Sequence, residues 1–115
     1  MKTMLLLLLL LLPHGALALS PAEAFEQAQA LERAGKPAAD FVPLLKRAAQ
    51  GGEVDAQLKL GRIYRFGRKG IAKNFSEAKR WYDMAAARGS QEAMTQLQMI
   101  YIKSGHEHFN SLQAD

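Results

Sequence analysis

An internal repeat at a spacing of 37 residues constrains this chain more than any other feature of its sequence. At that shift Ala48 falls on Ala85, Ala49 on Ala86, Gly52 on Gly89 and Ala56 on Ala93. Leu60 falls on Leu97, Ile63 on Ile100, Tyr64 on Tyr101, and the bulky pair Leu44-Leu45 on Trp81-Tyr82. Small residues meet small ones and large meet large, as stacked helical hairpins sharing one packing plan require. The chain of 115 residues has room for one such domain and little more.

Cap and stop signals divide the rest of the chain at helical intervals. Ser20-Pro21-Ala22-Glu23 reads as a capping box with proline at the first helical position. The helix it opens runs to about Ala34, with Phe25, Ala28 and Leu31 on one face, and Gly35 stops it. A second helix is predicted from Asp40, as N-cap, to Gln50, with Leu44, Leu45, Ala48 and Ala49 as its apolar stripe. Pro43 falls in its first turn, where a missing N–H does no harm. A third covers Val54 to Phe66, burying Val54, Leu60, Ile63 and Tyr64, and Ile71 turns inward after it. Asn74 caps a fourth, with Glu77 as box partner and Phe75, Ala78, Trp81, Tyr82, Ala85 and Ala86 on one face. A fifth runs from Ser90 to Ile102. No segment shows strand alternation between hairpin turns. The expected fold is all-α, a short solenoid of about five antiparallel helices over residues 19–105, with a polar tail at 106–115.

Residues 1–18 read as a signal peptide. Met1-Lys2-Thr3 is a short positive region, Met4 through Leu12 an unbroken apolar run, and Ala16-Leu17-Ala18 presents small residues to a signal peptidase. The run is about half the roughly 20 apolar residues a spanning helix needs, and Pro13 breaks it. Cleavage is expected after Ala18, which preserves the Ser20 cap and leaves no membrane span. The expected localisation is periplasmic or secreted. An exported protein meets an oxidising compartment, yet the chain has no cysteine, so stability must come from helix packing.

The stretch Ala56-x-x-x-Leu60-Gly61-x-x-Tyr64-x-x-Gly67, then Gly70-Ile71-x-x-Asn74, then Ala78-x-x-Trp81-Tyr82-x-x-Ala85-Ala86-x-x-Gly89, resembles one complete Sel1-like repeat. It departs from the family pattern by one extra loop residue, by Ile71 for valine and by Asn74 for aspartate. The next copy is degenerate, with Gln98 where Gly61 would recur. The resemblance implies an adaptor that holds another protein on a curved helical surface, and it suggests a bacterial source.

Packing alone explains the motif residues. The alanines let helices approach, Gly61 permits a close crossing, and Trp81 and Tyr82 fill the space between hairpins with polar atoms left for a partner. The expected contact surface lies on the third and fifth helices, at Gln57, Arg62, Arg65, Met94 and Gln98.

Chemistry is sparse. His106-Glu107-His108 lacks a third metal ligand and second-shell support, so no metal site is expected. Gly67-Arg68-Lys69-Gly70 lacks the spacing of a phosphate loop. No catalytic constellation and no cofactor motif stands out, and an enzyme is not expected. Without Lys2 the chain carries fourteen basic and eleven acidic side chains, too mild an excess for nucleic-acid binding. Arg62, Arg65, Arg68, Lys69 and Lys73 do gather at one helix end, as a solvated face or as a steering patch for an acidic partner. Two alternatives to the adaptor remain: an immunity-type or regulatory protein that inhibits one specific partner, and a structural protein that self-associates into a homo-oligomer.

Overall fold

The computed structural model describes residues 18–113, with side chains placed for 18–107 and Gln113. Its described residues form five helices and no strand: α1 Pro21–Arg33, α2 Ala38–Gln50, α3 Val54–Phe66, α4 Phe75–Ala87 and α5 Gln91–Gln113. All but residue 18 of the segment read as a signal peptide lies outside the described residues.

Local chemistry sets most of the boundaries. The Ser20 hydroxyl accepts from the Glu23 amide at 3.1 Å, and the Asn74 side chain accepts from the Glu77 amide at the same distance. The Ser90 hydroxyl accepts from the Ala93 amide at 3.2 Å and opens α5. At the other end of α3, Gly67 takes φ +66 and ψ 57 and returns its amide to the Ile63 carbonyl. A Cβ there would meet the Lys73 amide nitrogen at 3.0 Å, so glycine serves both the left-handed conformation and the close approach of the chain. The Asn74 amide then donates to the Tyr64 carbonyl at 2.7 Å, tying the loop back onto α3.

Two boundaries differ from those read in the sequence. α2 begins at Ala38, with Pro37 as its N-cap residue, so Asp40 sits within the first turn. There its carboxylate complements the helix dipole rather than capping it. α5 does not stop at Ile102: it runs through Gly105 to Gln113, and 106–113 are its last turns rather than a tail beyond the helix. A glycine that keeps helical dihedrals costs about 1 kcal/mol against alanine but is no stop signal by itself.

Successive helices pack on one another, with α1 against α2, α2 against α3, α3 against α4 and α4 against α5. One core joins Ala24 and Ala28 of α1, Phe41, Leu45, Ala48 and Ala49 of α2, Leu60 and Ile63 of α3, and Trp81 of α4. A second joins Leu58, Ala78, Tyr82, Ala85, Ala93 and Ile100 across α3, α4 and α5, and the Tyr64 ring borders both. Leu19 and Ile71 pack half-buried against the first. The alanines matter because they bring helix axes close enough for Trp81 and Tyr82, at 1% and 0% exposure, to fill the remaining volume.

Candidate functional site

Long polar side chains bridge α1 to α3 and α3 to α5 at the surface of the two cores. Between α1 and α3, the Glu32 carboxylate takes an ion pair from Lys59 and a second, at 3.7 Å, from Lys69 in the following loop. Between α3 and α5, Arg62 reaches Glu92, its Nε donating at 3.1 Å, and Arg65 donates to the Gln96 side-chain oxygen and approaches the Met99 sulfur.

Two adjoining cavities run under these bridges. The first is lined by Glu32, Arg33, Lys59, Arg62, Arg68 and Lys69 over a floor formed by Ile63. The second shares Lys59 and Arg62 with it and extends past Phe25, Gln29, Asp55 and Leu58 to Glu92. Together they make one groove across α1, α3 and α5. Helical spacing aims these residues there: Phe25, Gln29 and Glu32 share a face of α1, and Asp55, Leu58, Lys59 and Arg62 a face of α3.

The residues expected to contact a partner divide. Arg62 and Arg65 face this groove and its α5 edge, already engaged with Glu92 and Gln96. Met94 and Gln98 are exposed on α5. Gln57 is not a surface residue. It is fully buried, and its amide donates to the Ala49 carbonyl at 2.8 Å. That carbonyl lies in the last turn of α2 and also accepts from the Gly52 amide at 3.1 Å, so the Gln57 amide is its second donor. Gln57 therefore closes the end of one helix from within the next.

The polar atoms of Trp81 and Tyr82 are also not available to a partner: Trp81 Nε1 and the Tyr82 hydroxyl are both buried and without a hydrogen-bond partner among the described residues. Burial pushes the Tyr82 phenol above its ordinary pKa, against the pull of the Arg65 and Arg62 charges overhead. The sequence reading missed Glu32, Arg33 and Lys59 altogether, though the i, i+3/i+4 spacing along α1 and α3 carried the signal.

The remaining motif residues are structural. Ala56, Leu60, Gly61, Ala78 and Ala85 are buried, Tyr64 and Ala86 half-buried, and Gly70 and Gly89 take positive φ at turns. Among the described residues no group of three or more His, Cys, Asp or Glu could hold a metal ion. His106 and Glu107 stand exposed on the last turns of α5. No described helix is long and apolar enough to cross a membrane.

No curated protein and no solved structure matches the chain. A family model does: residues 54–90 match the Sel1 repeat. The match begins at the first residue of α3 and takes in all of α4 and the turn after it. The chain thus carries a Sel1 repeat, built from α3, its glycine loop and α4.

Proposed function

We propose that this chain is an exported module that binds another protein in the groove across α1, α3 and α5. Sel1 repeats in general mediate protein–protein interaction. The observation that carries the reading here is the groove itself, a concavity spanning three helices and bridged only by long side chains that can swing aside. Rigid helices with adaptable polar side chains on one face suit the capture of a partner segment. Export is supported by the apolar leader with its Ala16-Leu17-Ala18 ending, and by Leu19, which already packs against the first core.

A photocrosslinking amino acid tests the docking face. Placed at Gln29 or Asp55 in the groove it is expected to trap a specific protein, whereas at Arg47 or Arg80, outside the groove, it traps none. Equal capture from both sets would sink the assignment. Sequencing the amino terminus of the protein recovered outside the cytoplasm is expected to start at Leu19, and an intact Met1 would refute cleavage.

One observation favours a second reading, self-association. Of the five exposed large apolar side chains among the described residues, four lie on α5: Met94, Met99, Tyr101 and Ile102, the last two more than half exposed. If α5 pairs with another copy, light scattering gives twice the monomer mass, and Tyr101→Ser with Ile102→Ser restores the monomer. A monomer mass for the parent protein at high concentration would dismiss this reading.

A further inference from the structure

We infer that the segment captured by this groove is acidic, its carboxylates taking the place that Glu32 fills in the free protein. The inference rests on the groove being the docking face. The cavity at the α1–α3 end is lined by five cations, Arg33, Lys59, Arg62, Arg68 and Lys69, and by one carboxylate, Glu32. Without Lys2 of the leader the chain has fourteen basic and eleven acidic side chains, and the nine basic and ten acidic ones outside this cavity all but cancel. The net charge of the protein is thus gathered in one concavity, where it focuses the field and draws in negative charge.

Glu32 shows what the site accepts. Its side chain is only 15% exposed, and its two oxygens meet Lys59 and Lys69 from two different segments. Glu92 does the same for Arg62 at the α5 edge. Two internal carboxylates therefore hold three of the five cations. Arg33 and Arg68 have no carboxylate partner among the described residues. The Arg62–Glu92 pair, with both side chains 44% exposed, exchanges readily because such a pair is worth little on its own, and Lys69 holds Glu32 from the solvent side. A segment bearing several carboxylates can displace both internal ones and engage Arg33 and Arg68 as well.

The layout favours a chain over a small anion. The cations come from the end of α1, the face of α3 and the loop after it; Lys59 and Lys69 meet at the Glu32 carboxylate, while Arg62 engages Glu92 at the other edge. Carboxylates spaced along an extended peptide match that spread. Ile63, 3% exposed, gives the cavity an apolar floor for the intervening side chains.

The test is fluorescence anisotropy of the purified protein with a labelled peptide of alternating glutamate and glycine, beside its glutamine counterpart. Only the glutamate peptide is expected to bind, and raising salt weakens it. Glu32→Gln is expected to tighten binding about threefold, and Arg33→Glu with Arg68→Glu to weaken it about tenfold or more. Both arginines are exposed, so the fold should persist; a circular dichroism melt checks this, and Arg33→Gln with Arg68→Gln serves if the reversal unfolds. Equal binding of the two peptides, no effect of the arginine variants, or weaker binding on Glu32→Gln would overturn the inference. So would competition by inorganic phosphate or a single-stranded oligonucleotide at least as good as by the glutamate peptide, which would mark a general anion site. If the groove crosslinks a protein yet the glutamate peptide fails, the docking face stands and only its acidic preference falls.

Discussion

Replacing Trp81 by alanine is expected to cost about 3–5 kcal/mol, as much as a single truncation of a buried aromatic costs. Trp81 is 1% exposed and joins α4 to the core built by α1, α2 and α3. Without it the two hairpins lose their main shared side chain. A domain of this size has roughly 5–15 kcal/mol to lose, so the variant sits near the edge of folding. At roughly 4–8 °C per kcal/mol, its melting midpoint falls by on the order of 20 °C.

Trp81→Phe is the control. It keeps a ring that fills most of the volume, and the indole N–H it removes has no partner among the described residues, so it should cost well under half as much. As the only tryptophan, Trp81 also reports on the parent protein. Its emission should shift red on unfolding, at the denaturant concentration where far-ultraviolet dichroism is lost. Separate midpoints for the two probes would mean that the hairpins unfold independently and that Trp81 does not couple them.

How much of this was legible in the sequence depends on whether a residue answers to its own helix or to another one. The bounds of α3 and the Asn74 cap follow from residues close in the chain, and the structure has them as read. The 37-residue register also pairs positions that the structure buries alike, such as Ala56 with Ala93 and Ile63 with Ile100. Gln57 went the other way. Nothing beside it in the chain shows that its amide will reach the Ala49 carbonyl, because that contact arises only when α2 and α3 pack.

The groove was half legible for the same reason. Arg62 and Arg65 were visible as a basic cluster, but their acceptors, Glu92 and Gln96, lie about thirty positions on. Glu32 and Arg33 belong to a helical pair that echoes the repeat only loosely, so the register did not point to them. The sequence places a helix end at Ile102 and a tail from residue 106, yet α5 runs through Gly105 to Gln113 without a break.

The close approach at Gly61 gives the second large expected effect, and it changes sign with its neighbour. A Cβ at Gly61 would lie 2.5 Å from Cε1, 2.6 Å from Cζ and 2.7 Å from Cδ1 of Tyr82. That ring is fully buried and has no space into which to retreat. Gly61→Ala should gain about 1 kcal/mol in helix propensity but lose about 1–3 kcal/mol to overpacking, so it destabilises on balance. Tyr82→Ala alone should cost about 3–5 kcal/mol by leaving a cavity between α3 and α4. In that background the clash is gone and Gly61→Ala becomes stabilising, by about 0.5–1 kcal/mol. The cycle of four proteins, measured by urea unfolding in the cold, should therefore show a coupling of about 2 kcal/mol. Additivity within a few tenths of a kcal/mol would mean that the ring does not rest on the glycine. At the next register position stands Gln98, exposed on α5, so that helix offers no equivalent seat for an aromatic ring. The same contact that locks α4 onto α3 cannot recur there, which leaves the outer face of α5 open beyond the last packed turn.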